Sequence, residues 1–185
     1  MLFRSGKEAD LNQGLKLGSV DIIISGSSFA AKDFPPIGVG YYPFTFRNAE
    51  HLLKFAKTDV FAELAKGYED KTGNHITALN YYGTRHTTSN RAIAHCADMK
   101  GLKMRTPPDA VTVDIMQSLG ADAQQIKFSE LYVALQQGVV DGQENPLTNI
   151  SSAKLYEVQK YISLSGHKYE STPFLMSKRT WDRMT

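Results

Sequence analysis

The sequence predicts an α/β fold of two lobes, sheets flanked by helices, with both ends of the chain expected to stop short of a complete fold. Three observations carry this expectation. Leu102 to Pro146 reads as strand, helix, strand, helix, strand, and in a compact segment that succession implies a parallel sheet with right-handed crossovers. Val20 to Ile24, mostly β-branched, follows a helix and predicts a strand buried on two faces, yet nothing before that helix supplies neighbouring strands. His75 to Tyr82 alternates toward a strand from which Gly83-Thr84-Arg85 crosses out, and the chain returns near Ser171. The expected organisation is residues 1–82 as part of lobe I, 83–170 as lobe II and 171–185 as a return into lobe I, with hinges near Tyr82-Gly83 and Ser171.

The elements follow in order. Lys7 to Leu17, stopped by Gly18, has helical spacing. Ser25-Gly26-Ser27-Ser28 is a small polar turn at the end of the first strand; it can hydrogen-bond a ligand at Ser25 or serve only as a turn. Phe34-Pro35-Pro36 and Gly38 to Phe46 form a connection punctuated by Pro and Gly, after which Asn48 caps a helix over Ala49 to Ala56. Asp59 to Lys71 places Phe61, Leu64, Ala65 and Tyr68 on one stripe and ends at Gly73. Thr87-Thr88-Ser89-Asn90 continues as an extended polar segment. In the central stretch, Leu102 to Met104 is a strand stopped by Pro107 and Pro108, Asp109 caps a helix ending at Gly120, and Ser129 opens a second helix ending at Gly138. Val139 to Asp141 is the next strand, with Asn145 in the loop behind it. Thr148 to Leu155 looks helical, Val158 to Ser165 and Lys168 to Met176 look like two strands, and Ser177 caps a last short helix.

Composition narrows the function classes. Across 185 residues, 42% are hydrophobic and 22% charged, ordinary values for a folded soluble domain. The formal charge of +2 comes without any Lys/Arg run, so no nucleic-acid partner is implied. A lone Cys96 excludes an internal disulfide, and His51, His75, His86, His95 and His167 lack metal-ligand spacing, so no metal and no cofactor are expected. There is no run of roughly 18 apolar residues to span a membrane. The start Met-Leu-Phe-Arg-Ser lacks the apolar core of about 7 to 15 residues that a signal peptide needs.

Catalytic signatures are absent as well. No Gly-x-Ser-x-Gly, P-loop, His-Glu-x-x-His or Cys-x-x-Cys occurs, and Gly38-Val-Gly40-Tyr-Tyr-Pro fails the dinucleotide pattern because proline replaces its last glycine. Glu130 and Glu144 are the one candidate acid/base pair, but Glu130 sits in the first turn of a helix, where a carboxylate meets the helix dipole favourably. What remains is a binding site. Arg105 stands at the carboxyl end of a strand, the place where open α/β sheets hold ligands, and a guanidinium there can grip a carboxylate with two parallel hydrogen bonds. Asn145 falls at the same sheet edge.

Four blocks in this order resemble the substrate-binding proteins of TRAP transporters, the tripartite ATP-independent periplasmic systems, and their DctP-like family. They are Tyr82-Gly-Thr-Arg-His-Thr-Thr-Ser-Asn-Arg-Ala-Ile93, Asp98-Met-Lys-Gly-Leu-Lys-Met-Arg-Thr-Pro107, Phe128-Ser-Glu-Leu-Tyr-Val-Ala-Leu-Gln136 and Val140-Asp-Gly-Gln-Glu-Asn-Pro146. The resemblance implies a periplasmic-binding-protein-like fold whose two lobes close on an organic acid, a periplasmic location, and delivery to a membrane permease. It implies ligand contacts from Arg105, Arg85, Phe128 and Asn145, with Glu8 at a position acidic in the sialic-acid branch. Family chains run longer at both ends, with a signal peptide not present here. The sialic-acid binders share Gly-Thr-Arg and Thr-Thr-Ser-Asn-Arg-Ala-Ile, but Pro108 and Gly26 replace polar positions of that branch, which favours a smaller or different acid. A ligand-sensing input domain and an enzyme are the readings from other classes; the first needs a fused signalling region, the second a nucleophile or acid/base pair at the strand mouths.

Overall fold

A computed structural model describes residues 8–184. The chain falls into two compact units, Met1–Tyr82 with Glu170–Thr185, and Gly83–Tyr169.

In the first unit, helix α1 spans Glu8–Lys16 and buries Leu15, and Gly18 ends it at a φ of 66°. The expected first residue of that helix, Lys7, lies outside the described residues. Strand β1, Ile22–Ile24, pairs antiparallel with the end of strand β6, Tyr161–Met176, Ile22 opposite Met176. The two-sided burial expected of this run is corrected. Ile23 is 6% exposed, but Ile22 and Ile24 are 44% and 56% exposed, because among the described residues β1 ends the strand order and successive residues alternate between faces. Half of the expected serine turn is helical: α2, Ser27–Ala30, begins just after Gly26 and drives Phe29 and Ala30 into the interior.

Pro35 then opens a 3-10 segment to Tyr41, proline being well placed at a helix start where its missing N–H is not needed. Helix α3 is Ala49–Phe55, and the Asn48 side chain accepts from His51 N at 2.8 Å as the sequence requires. Helix α4 is Asp59–Thr72, capped by Thr58 and closed by Gly73 in the left-handed region. The predicted stripe faces inward: Tyr68 is buried with Leu15, Ile23, Ala30, Ile37 and Leu175, and Phe61 and Leu64 pack against that group.

Two strands are long. Strand β2, His75–Ser89, does not break at Gly83. That glycine instead takes a φ of 150°, and a Cβ on it would lie 2.7 Å from Pro146 Cβ. Strand β6, Tyr161–Met176, replaces the two strands expected there, since Gly166 at a φ of 54° absorbs a kink without ending the ladder.

The second unit adds β3, Lys103–Thr106, β4, Asp122–Gln125, and β5, Gly142–Pro146, in the strand order β6-β2-β5-β3-β4. Strand β3 lies parallel to both β4 and β5, so the parallel sheet expected of this segment is present. Helix α5, Ala110–Ser118, is capped by Asp109, whose carboxylate accepts from Thr112 N at 2.9 Å. Helix α6, Phe128–Gln136, has Lys127 and not Ser129 in its capping position, with no side-chain cap. Helix α7, Leu147–Ser152, and a 3-10 turn at Leu155–Glu157 lead to β6; the last helix, α8, Lys178–Trp181, is capped by Ser177 and belongs to the first unit. Two apolar clusters flank the sheet, Leu131, Leu135, Val140, Ile150 and Leu155 in one and Met99, Leu102, Met104, Met116 and Ala121 in the other.

The main correction concerns β5. The strand is Gly142–Pro146, fully buried, and Val139 to Asp141 leads into it, so Asn145 stands in a strand between two neighbours and not in a loop. Gly142 makes this possible: a Cβ there would sit 2.4 Å from the Thr88 carbonyl oxygen and 2.9 Å from Met104 Sδ. Gly142→Ala is therefore expected to lose about 1–3 kcal/mol of stability, the usual range for overpacking, because the backbone oxygen cannot move aside. Urea unfolding checks it; an unchanged midpoint would show that β5 can shift at no cost.

Candidate functional site

Arg105 is placed by the stop at the end of β3. Pro107 and Pro108 end the ladder, and the side chain, only 2% exposed, turns to donate from Nε to the Ile126 carbonyl at 2.7 Å. That carbonyl is itself fixed, since Ile126 N donates to Thr106 O at 3.0 Å. Phe128 opens α6 two residues later, and the Arg105 Cζ lies 5.9 Å from its ring centre, at the outer edge of a cation–π contact. The ring is 45% exposed, the guanidinium is not.

Arg85 lies on β2 opposite Pro146, diagonal to Glu144 on β5. Its Nε pairs with Glu144 Oε2, and its Nη2 donates to Glu144 Oε1 at 2.6 Å, to the Glu144 carbonyl at 2.7 Å and to Asn145 Oδ1 at 3.3 Å. His167 Nε2 stands 3.3 Å from Glu144 Oε2, and its Nδ1 is 2.8 Å from Ser165 Oγ. Burial alone would push the Glu144 carboxyl up; the charges of Arg85 and Lys168, with hydrogen bonds from His167 and Arg85, outweigh it and hold the group well below the carboxylate range. Asp109 is the opposite case. Its burial pushes its carboxyl up despite the Thr112 amide and the Lys168 charge.

The buried charged residues of this unit are thus three cations, Arg85, Arg105 and Lys168, and two carboxylates, Asp109 and Glu144. On the neighbouring face of β5, Asn145 Nδ2 donates to Gln143 Oε1 at 2.5 Å and Gln143 Nε2 to Thr88 Oγ1 at 2.9 Å.

Of the six residues singled out in the sequence, four lie in this unit. The structure brings Arg85 against Asn145 and Arg105 against Phe128. Glu8 and Ser25 belong to the first unit, where Glu8 Oε1 accepts from Ser25 Oγ at 2.9 Å and from Gly26 N at 2.7 Å. Sequence reasoning missed Glu144, weighed there only as a partner for the exposed Glu130, and it missed His167 and Lys168. The available signal was register: a strand Gly142–Pro146 beside Arg85 puts one carboxylate diagonal to that arginine.

Comparison with known proteins gives the family of the chain. The family described as "Bacterial extracellular solute-binding protein, family 7" (DctP) matches residues 4–185. A Sinorhizobium fredii protein, y4mM, is 48% identical over 176 residues, covering 94% of this chain and 32% of its own length. A TRAP periplasmic solute-binding protein of Polaromonas sp. JS666, solved with D-erythronate, superposes with a TM-score of 0.91 at 34% identity, covering 97% of this chain and 59% of that one. One from Roseobacter denitrificans, solved with L-galactonate, gives 0.92 at 34%, covering 97% and 60%. The chain spans about a third to three fifths of the length of these relatives. A family match over nearly every residue, joined to these superpositions, settles the affiliation: this chain belongs to the bacterial extracellular solute-binding proteins of family 7, the TRAP solute-binding proteins.

Proposed function

We propose that the protein captures a small organic acid through its carboxylate outside the cytoplasm and hands it to a TRAP membrane permease. The observation that carries this reading is the buried Arg105 guanidinium at the end of β3, anchored at Nε by the Ile126 carbonyl, a planar group of the kind that meets a carboxylate with two parallel hydrogen bonds. A guanidinium held in a fixed plane favours a planar anion that can meet it side by side, which a carboxylate is. Relatives solved with D-erythronate and L-galactonate, both hydroxylated monocarboxylates, support that class of ligand. The same groups bind without turning over. A carboxylate held ionised by an arginine has no proton to give near neutral pH, and Glu144 is in that state.

The test is a thermal-shift screen of the purified protein against D-erythronate, L-galactonate, succinate and N-acetylneuraminate, with an uncharged polyol as control. A ligand at about 100 times its Kd adds about 2.7 kcal/mol of stability. A shift with the acids and none with the polyol is expected. A response confined to N-acetylneuraminate would instead assign the protein to the sialic-acid binders, and no response to any acid would overturn the reading.

A further inference from the structure

Asn145 is held at the end of a line of hydrogen bonds whose direction can be read from both ends. At one end, Gln159 Nε2 faces two backbone carbonyls, Asp141 O at 3.3 Å and Val158 O at 3.2 Å. Carbonyls only accept, so the amide nitrogen of Gln159 must point at them and its Oε1 must point the other way. Thr88 then donates its hydroxyl to that Oε1 at 2.8 Å, and the hydroxyl oxygen accepts from Gln143 Nε2 at 2.9 Å. Gln143 in turn presents Oε1 to Asn145 Nδ2 at 2.5 Å. At the other end stands Arg85, a donor only, whose Nη2 meets Asn145 Oδ1 at 3.3 Å. The two ends agree. Turning any one amide over would set donor against donor or oxygen against oxygen at two contacts.

We infer that Thr88, Gln143 and Gln159 are positioning residues that fix the polarity of Asn145, so that its remaining Nδ2 hydrogen is offered to a ligand and the ligand atom beside that nitrogen is an acceptor oxygen. This rests on the reading of Asn145 as a ligand residue. The reason lies in the donors and acceptors: Oδ1 is turned to the Arg85 guanidinium, and of the two Nδ2 hydrogens one goes to Gln143 and one is left. Buried placement makes the line stiff, with Thr88, Gln143 and Asn145 only 2%, 0% and 3% exposed, because in a low-dielectric setting each bond polarises the next and a reversed member is left unsatisfied. Register holds the members in place. Thr88 pairs with Gln143 across β2 and β5, and Arg105 pairs with Gln143 across β3 and β5, which sets the line beside the anchored guanidinium.

The experiment compares Thr88→Val with Thr88→Ser. Valine keeps the γ-methyl and the volume but cuts the line; serine keeps the hydroxyl and loses the methyl. Two readouts are taken. In the protein without ligand, the side-chain amide resonances of Asn145, assigned by loss in Asn145→Asp, should shift in Thr88→Val and stay near wild type in Thr88→Ser. Calorimetric titration with D-erythronate should show at least a fivefold weakening for valine, with serine within about twofold of wild type. A packing role for Thr88 gives the opposite ranking, serine worse than valine, and that ranking in both readouts overturns the proposal. If wild type binds no D-erythronate, the ligand reading of Asn145 fails, while the resonance comparison still decides whether the line fixes its amide.

Discussion

Glu144→Ala is expected to lose about 3–5 kcal/mol of folding stability, the range for removing one partner of a buried ion pair. The substitution leaves the Arg85 guanidinium buried at 4% exposure without its two carboxylate bonds, and takes the counter-charge away from Lys168, which is fully buried. Against a net stability of about 5–15 kcal/mol for a domain, this approaches complete unfolding. Urea unfolding measures it, and a loss below about 1 kcal/mol would show that the pair is no better than a hydrated surface contact. The pH dependence follows with its sign. The folded-state pKa of Glu144 is depressed, so its contribution is present above the ordinary glutamate value of 4.5 and is lost as pH falls toward the folded value. Asp109, raised by burial, acts in the other direction: its contribution favours folding below the ordinary aspartate value of 3.8 and disappears as pH rises through its raised folded pKa. Wild type should therefore lose stability on acidification below about pH 4.5, and Glu144→Ala should show a flatter acid limb.

How much of this was legible in the sequence depends on what each signal measures. Caps and stops were readable because they act within a few residues: Asn48, Asp109 and Ser177 each accept from the amide three residues on, and Gly73 ends α4 in a left-handed conformation. Arg105 was readable for the same reason, since two prolines mark the strand end beside it. The strand Gly142–Pro146 was not. Hydrophobicity is the usual mark of a central strand, and Gln-Glu-Asn shows none; its burial is compensated by Arg85, Thr88 and Gln159, which lie between about 15 and 60 residues away in sequence and could be found only through register. The opposite error at Ile22 and Ile24 has the same root, because apolar residues announce burial even where, among the described residues, the strand has a neighbour on one side only.

Arg105→Lys is expected to weaken binding of D-erythronate by roughly ten- to a hundredfold although the charge is kept. The guanidinium does two things with one planar group: Nε is held by the Ile126 carbonyl at 2.7 Å, and that bond sets the plane in which the two Nη nitrogens can meet a carboxylate side by side. An ammonium has no such plane. A lysine at this position either reaches for Ile126 and withdraws its charge from the ligand, or meets the ligand as a single point and leaves the carbonyl unanswered. A hydrogen bond to a charged group is worth about 1.5–3 kcal/mol, and about 1.4 kcal/mol corresponds to a factor of ten, which gives the stated range. Calorimetry on the variant measures it, with circular dichroism to confirm that β3 and α5 remain folded. Binding within about threefold of wild type, well under that 1.4 kcal/mol, would mean that Arg105 holds the sheet edge and that the carboxylate is gripped elsewhere.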